Sequence, residues 1–290
     1  NTILDIDALY TPLESKEIHG ETAVSLLREL QTKHYSAVEI DDNFSSVVFD
    51  SYLDLLDGSH LYFLKEDIDN LSSFRYTIDD SLKDGSVEAG FDIYNLYHKR
   101  ILERLIFAIN RVENNIPEMD FTQDEFIDLD REEAPYAATV EDLDEIWRLR
   151  MKNSVLSLKL TGDSEEEIEE KLSDRYRNQL NQILKTNDRD IFQAYLSTVA
   201  KAVDPHTAYF SPRDSENFNM GLSLSLQGIG AQLQTEEEYT KIVELIKGGP
   251  ADRGNELQAG DRIIGIGQGV DGEIQDVVGM RLDDVVSQIR

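Results

Sequence analysis

Apolar positions in the first two thirds of the chain recur at helical spacing and lapse at capping and breaking residues, which predicts a run of amphipathic helices. Val24, Leu27, Leu30 and His34 share one face over residues 22–34. A second helix opens at Asp41 or Asp42, either a suitable N-cap, turns Phe44, Val48, Tyr52, Leu55 and Leu56 inward, and stops at Gly58. A third is predicted from Lys65 to Leu82 through Ile68, Leu71 and Ile78, ending at Asp84-Gly85. The strongest stripe, Tyr94, Tyr97, Ile101, Leu105, Ala108 and Val112, predicts a helix from Phe91 to Val112, with Phe107 also in its core. Residues 113–135 break the pattern with two prolines and mixed charge and predict a long connection. Thr139 with Asp142, and Ser164 with Glu167, have the spacing of capping boxes. The helices they open run through Leu143, Trp147, Val155 and Leu158 to Gly162, and through Ile168, Leu172, Tyr176, Leu180 and Leu184. Asn187 or Asp188 caps one more, through Ile191, Tyr195, Val199 and Ala202, which stops before Asp204-Pro205. Ser211-Pro212-Arg213-Asp214 reads as an N-cap with proline in the first turn.

From Leu222 the period changes. Leu222, Leu224 and Leu226 alternate with Ser223 and Ser225 and lead into Gly228-Ile229-Gly230, where two glycines can turn backbone N–H groups toward one point. Such a nest of donors suits a carboxylate. Ala231 to Gln234 would offer a sheet edge to an extended peptide, and Tyr239 to Leu245 reads as its hairpin partner. Gly248-Gly249-Pro250-Ala251 is a breaker before a short helix, and Gly260-Asp261 a turn before the apolar run Arg262-Ile263-Ile264. Leu282, Val285, Val286 and Ile289 return to helical spacing.

In that order, Gly-Ile-Gly-Ala, Gly-Gly-Pro-Ala, Leu-x-x-Gly-Asp-x-Ile and Leu-Asp-Asp-Val-Val resemble a PDZ domain, in the variant found in tail-specific, or C-terminal processing, proteases of the bacterial periplasm. The helical part carries the same resemblance in Tyr52 to Asp57, Tyr94 to Tyr97, Leu156 to Gly162 and Asp204 to Arg213. It implies an all-α N-terminal domain over residues 1–216, a hinge and leading strand at 217–227, and a PDZ domain, mainly β with two helices, at 228–290, cut before its last strand. It further implies peptide binding by the backbone of Ile229, Gly230 and Ala231, with Leu282 and Val286 shaping the side-chain pocket. The family uses a serine nucleophile with a lysine base on a domain that follows the PDZ domain. No segment here matches those motifs, so no catalytic residue is assigned and this chain is expected to be inactive alone. The expected partners are apolar C-terminal tails of protein substrates, with an adaptor lipoprotein on the helical domain. The expected location is the periplasm, at the inner membrane. The rival reading is a non-catalytic PDZ adaptor or chaperone that binds protein C-termini.

Composition narrows the classes further. With 28 Lys and Arg against 58 Asp and Glu the net charge is -30, which argues against nucleic acid and anionic membrane surfaces. The absence of cysteine removes disulfides and thiol chemistry. The chain opens at Asn1 rather than Met, as expected of a processed or cut form. No cofactor or metal site is expected: the five histidines (19, 34, 60, 98 and 206) are scattered, and His206 is expected to pack its loop. Gly267-Gln268-Gly269-Val270-Asp271-Gly272 fits the dinucleotide pattern in letters only, because a strand rather than a helix is expected to follow it, over residues 273–277.

Overall fold

A computed structural model of the chain describes residues 4–116, 119–212, 214–215, 218–219, 228–236, 239–269 and 272–289. They form two compact units, Asn1–Phe210 and Ser211–Arg290. The expected hinge at 217–227 and the alternating strand at 222–226 lie almost wholly outside the described residues.

The first unit is helical: α1 (Ile6–Leu9), α2 (Glu17–Lys33), α3 (Asp42–Asp57), α4 (Lys65–Leu71), α5 (Ile78–Lys83), α6 (Glu88–Asn115), α7 (Val140–Thr161), α8 (Glu165–Leu184) and α9 (Asp188–Val203). The caps read from the sequence operate. Asp41 accepts the Phe44 N–H at 2.9 Å, and Thr139–Asp142 and Ser164–Glu167 close reciprocal boxes. Gly162 ends α7 at φ 98°.

Two predicted spans differ. The expected helix over 65–82 is broken into α4, a 3-10 turn at Ser72–Phe74, and α5. The Ser72 and Ser73 hydroxyls bond back to the Asp69 and Asn70 carbonyls, a local competition that favours tightening the chain there. Helix α2 begins five residues before the expected start because its opening box is built from His19, whose Nδ1 accepts the Lys16 N–H at 3.1 Å. The same imidazole is buried, stacked on Phe192 at 4.3 Å and Phe91 at 5.7 Å, so it serves the core where a hydropathy pattern counts it as polar.

Helix α6 is 28 residues long, about 42 Å at the helical rise. Its length lets it serve two apolar clusters. One gathers Phe44, Val48, Phe49 and Tyr52 of α3, Ile78 and Leu82 of α5, Phe91 and Ile93 of α6, and Tyr195, Leu196 and Val199 of α9. The other gathers Leu102, Leu105 and Ile109 of α6 with Trp147, Met151 and Val155 of α7 and Ile168 and Leu172 of α8. The connection from α6 to α7 docks on the segment between α3 and α4 through a short parallel bridge between Leu64 and Ala137, and α7 holds the same segment through the Trp147 Nε1–H, which donates to the Leu61 carbonyl at 2.8 Å.

The second unit holds an antiparallel sheet in the order β1 (Ala231–Glu236), β2 (Tyr239–Leu245), β3 (Arg262–Ile263), a separate pair β4 (Gly265–Ile266) and β5 (Gln275–Asp276), and helices α10 (Pro250–Gly254) and α11 (Leu282–Ile289). The loop from Gly267 to Gly272 joins β4 to β5, so the glycine pattern there is a strand connection. A mixed PDZ-type unit follows an all-α unit.

Candidate peptide-binding site

The site starts from two glycines. Gly228 and Gly230 adopt φ 146° and 77°, a region that favours glycine, and a Cβ on Gly230 would lie 3.1 Å from Gly249 Cα. Between and after them the backbone is held by its carbonyls: Ile229 O accepts the Ala251 N–H and Gly230 O accepts the Ile246 N–H, each at 2.8 Å. In a trans peptide the following N–H points opposite to the carbonyl. The Gly230 and Ala231 N–H groups are therefore turned away from α10 and β2.

Strand β1 pairs with β2 on one side, and among the described residues its other edge carries no strand. Helix α11 packs against β1. Val285, fully buried, roots the helix in the unit core and leaves Val286 on the neighbouring face. The start of β1 and helix α11 border a cavity of about 290 Å³ that Gly228, Ile229, Gly230 and Ala231 line on the nest side. Its apolar wall is Leu233, Ile246, Pro250, Val286 and Ile289. No charged side chain lines it.

Of the residues read from the sequence, Ile229, Gly230, Ala231 and Val286 come together at this cavity. Leu282 does not line it; it stands one turn earlier in α11, half-buried. Sequence reasoning missed Leu233 and Ile289, although a signal existed for both: Leu233 is two residues from Ala231 on one strand face, and Ile289 three from Val286 on the helix. Ile246 and Pro250 reach the cavity through tertiary packing and had no local signal.

Elsewhere the chemistry is structural. Ser45 is fully buried and its hydroxyl donates to Asp79 at 2.7 Å, while the Lys83 ammonium bonds the other oxygen of that carboxylate at 2.6 Å. The lysine is spent on the aspartate, and the serine is closed to substrate. Among the described residues no group of three or more His, Asp or Glu side chains is placed to hold a metal ion. His98 is buried beside Tyr10 and Tyr94. His206 corrects an expectation: its side chain is 94% exposed, because the loop is held instead by Asp204, which accepts the His206 N–H at 2.7 Å and the Tyr35 hydroxyl at 2.5 Å.

Comparison with known proteins falls on both units. The profile of the tail-specific protease N-terminal domain matches residues 26–213, and that of the PDZ domain residues 213–290. A tail-specific protease of Haemophilus influenzae is 40% identical over 280 residues, which is 96% of this chain and 40% of that protein. The carboxy-terminal processing protease CtpA of Bacillus subtilis is 28% identical over 131 residues, 45% of this chain and 26% of that one. A crystal structure of the PDZ domain of a carboxy-terminal protease from Vibrio cholerae in complex with peptide is 54% identical over 22% of this chain and 65% of that chain, at a TM-score of 0.22. The chain thus spans about two fifths of the Haemophilus protein's length. Because the N-terminal-domain profile alone covers well over half of its residues, the chain belongs to the tail-specific protease family.

Proposed function

We propose that this chain is the substrate-recognition and scaffold portion of a periplasmic C-terminal processing serine protease, and that its PDZ unit binds apolar C-terminal tails of substrates. The observation that carries this reading is the cavity between the β1 edge and α11, apolar in its wall and bordered by the backbone of Gly228 to Ala231. An extended tail would pair with β1, place its carboxylate at the Ile229, Gly230 and Ala231 N–H groups, and seat its last side chain against Val286. Leu282, one turn earlier, would meet the tail further from its terminus. A Ser-Lys dyad in another part of the protein performs the cleavage in this proposal, and residues 217–227 serve as the hinge that lets tail binding switch it. The helical unit is the proposed dock for an adaptor lipoprotein at the inner membrane.

Fluorescence anisotropy with a free-acid peptide and its C-terminal amide tests the reading. Amidation should weaken binding about tenfold or more, since the donors lose a charged acceptor. Leu282→Asp should weaken apolar tails while the circular dichroism spectrum is kept, because it sets an unpaired charge against an apolar surface. Equal affinity for acid and amide would exclude carboxylate capture.

A further inference from the structure

The strand that borders the cavity has a second face, as regular as the first. Along β1, Ala231 and Leu233 are half-buried and line the cavity, while Gln232 and Gln234 are exposed on the opposite side of the sheet. The alternation survives the irregularity in the β1–β2 ladder, because the extra residue there is Val243 of β2: Gln232 is opposite Glu244, and Leu233 is opposite Ile242. Neither glutamine amide has a hydrogen-bond partner among the described residues. On the same face, further from the open edge, Lys241 and Arg262 are both held by Glu236, at 2.5 and 2.9 Å.

The open edge itself is unguarded. Exposed edges are ordinarily protected against pairing by charge, proline or a covering element. Strand β1 reads Ala-Gln-Leu-Gln-Thr-Glu and carries no charge before its last residue, in a chain where 30% of the residues are charged. Its hydrogen-bonding phase is fixed at the nest. Gly230 O faces β2 through the Ile246 N–H, so the Ala231 N–H faces the open edge. Successive residues of a strand direct their N–H and C=O groups to alternate sides, so Ala231 and Leu233 present theirs to an incoming strand and Gln232 and Gln234 do not. A tail residue opposite either glutamine therefore sits in a non-hydrogen-bonded pair, where antiparallel geometry brings side chains closest, with Cα atoms about 4.5 Å apart. With the carboxylate at the nest and the last residue opposite Ala231, the second residue from the end falls opposite Gln232 and the fourth opposite Gln234, both with their side chains on the outer face.

We infer that Gln232 and Gln234 select uncharged hydrogen-bonding side chains, amides and hydroxyls, at the second and fourth residues from the terminus of a bound tail. The preferred substrate is then a tail with strand periodicity, apolar at its last and third residues from the end and Asn, Gln, Ser or Thr at the two outward positions. The inference rests on the tail-binding reading and adds to it two specificity-determining residues outside the cavity. A glutamine amide offers two donors and an acceptor, enough to pair with an amide or hydroxyl on the neighbouring strand. Cross-strand pairs of this kind are modest in energy, so the selection amounts to a few-fold per position. No net charge takes part, and the preference is therefore insensitive to salt.

The test uses three labelled free-acid peptides titrated with the intact protein: Gly-Ser-Ala-Gln-Val-Gln-Val, and the same peptide with alanine at either the second or the fourth residue from the end. Each alanine should weaken binding about two- to fivefold, equally at low salt and at about 0.5 M. Gln232→Ala should abolish the penalty of alanine at the second residue and keep that at the fourth; Gln234→Ala should do the reverse, with the fold checked by circular dichroism. This position-matched pattern is one that a general loss of stability would not produce. Equal affinity of the protein for all three peptides overturns the inference and leaves tail binding standing. Penalties that persist unchanged in the matching glutamine variants also overturn it. Binding of none of the peptides removes the tail-binding reading itself, and this inference falls with it.

Discussion

Asp57 closes α3 and is 2% exposed, yet its carboxylate accepts three backbone N–H groups, from Leu61 at 2.7 Å, Tyr62 at 3.0 Å and Phe63 at 2.8 Å. Burial pushes its pKa up while the three donors pull the other way. Asp57→Ala should therefore strand the donors of the Leu61–Phe63 turn and cost about 3–5 kcal/mol, read as a lower midpoint in urea denaturation with an unchanged slope. Asp204 is the opposite case. The Tyr35 hydroxyl first, and then the His206 N–H, hold its pKa down at about 2. The depressed value lies below the roughly 3.9 of an unfolded Asp, so the clasp it makes is fully present above about pH 4 and is lost as pH falls through about 2. The Tyr35 ring resonances should stay constant from neutral pH to about 4 and shift below it, and Asp204→Asn should abolish that titration.

At the scale of elements, packing decides where a propensity is allowed to act. Gly20 lies inside α2, where glycine is a weak helix former, but an added Cβ would stand 2.0 Å from the Gly85 carbonyl oxygen. Close approach of α2 to the turn before α6 requires the missing side chain. Gly20→Ala should thus destabilise the helical unit by about 2 kcal/mol or more despite the gain in propensity, as a fall in the thermal midpoint; a midpoint equal to or above the parent would refute the close packing. The same lesson covers α4 and α5. Ile68, Leu71 and Ile78 are spaced as if on one helix, and the serine back-bonds that interrupt it, together with the Asp79–Ser45 contact that fixes α5 to α3, are invisible to periodicity. Long helices with both caps written in the chain, α7 and α8 above all, were legible nearly to the residue, because a capping box is a local device.

At the scale of the molecule, both large apolar clusters belong to the unit Asn1–Phe210, which closes its own core. Residues 1–210 expressed alone should melt cooperatively with full helical signal, since a chain of that length is ample for one domain. A broad, non-cooperative melt would show that the second unit completes the core. The acidic excess, spread over both units, keeps such a fragment soluble and has no bearing on which fold forms.

The sequence by itself determined the class of each unit, the helical stripes, the caps, the nest glycines and the order of segments that resembles a PDZ domain, because each is encoded within a few residues of itself. It also contained the alternation that puts Ala231 and Leu233 on one face. Only the tertiary structure decided which apolar side chains share the cavity, bringing Ile246 and Pro250 to the nest and leaving Leu282 a turn away. It alone fixed the direction of the nest N–H groups, through carbonyls bonded to Ile246 and Ala251, 16 and 22 residues further along the chain. Those contacts join positions remote in sequence, and the free energy that selects them comes from packing and backbone satisfaction across elements, which no local pattern records.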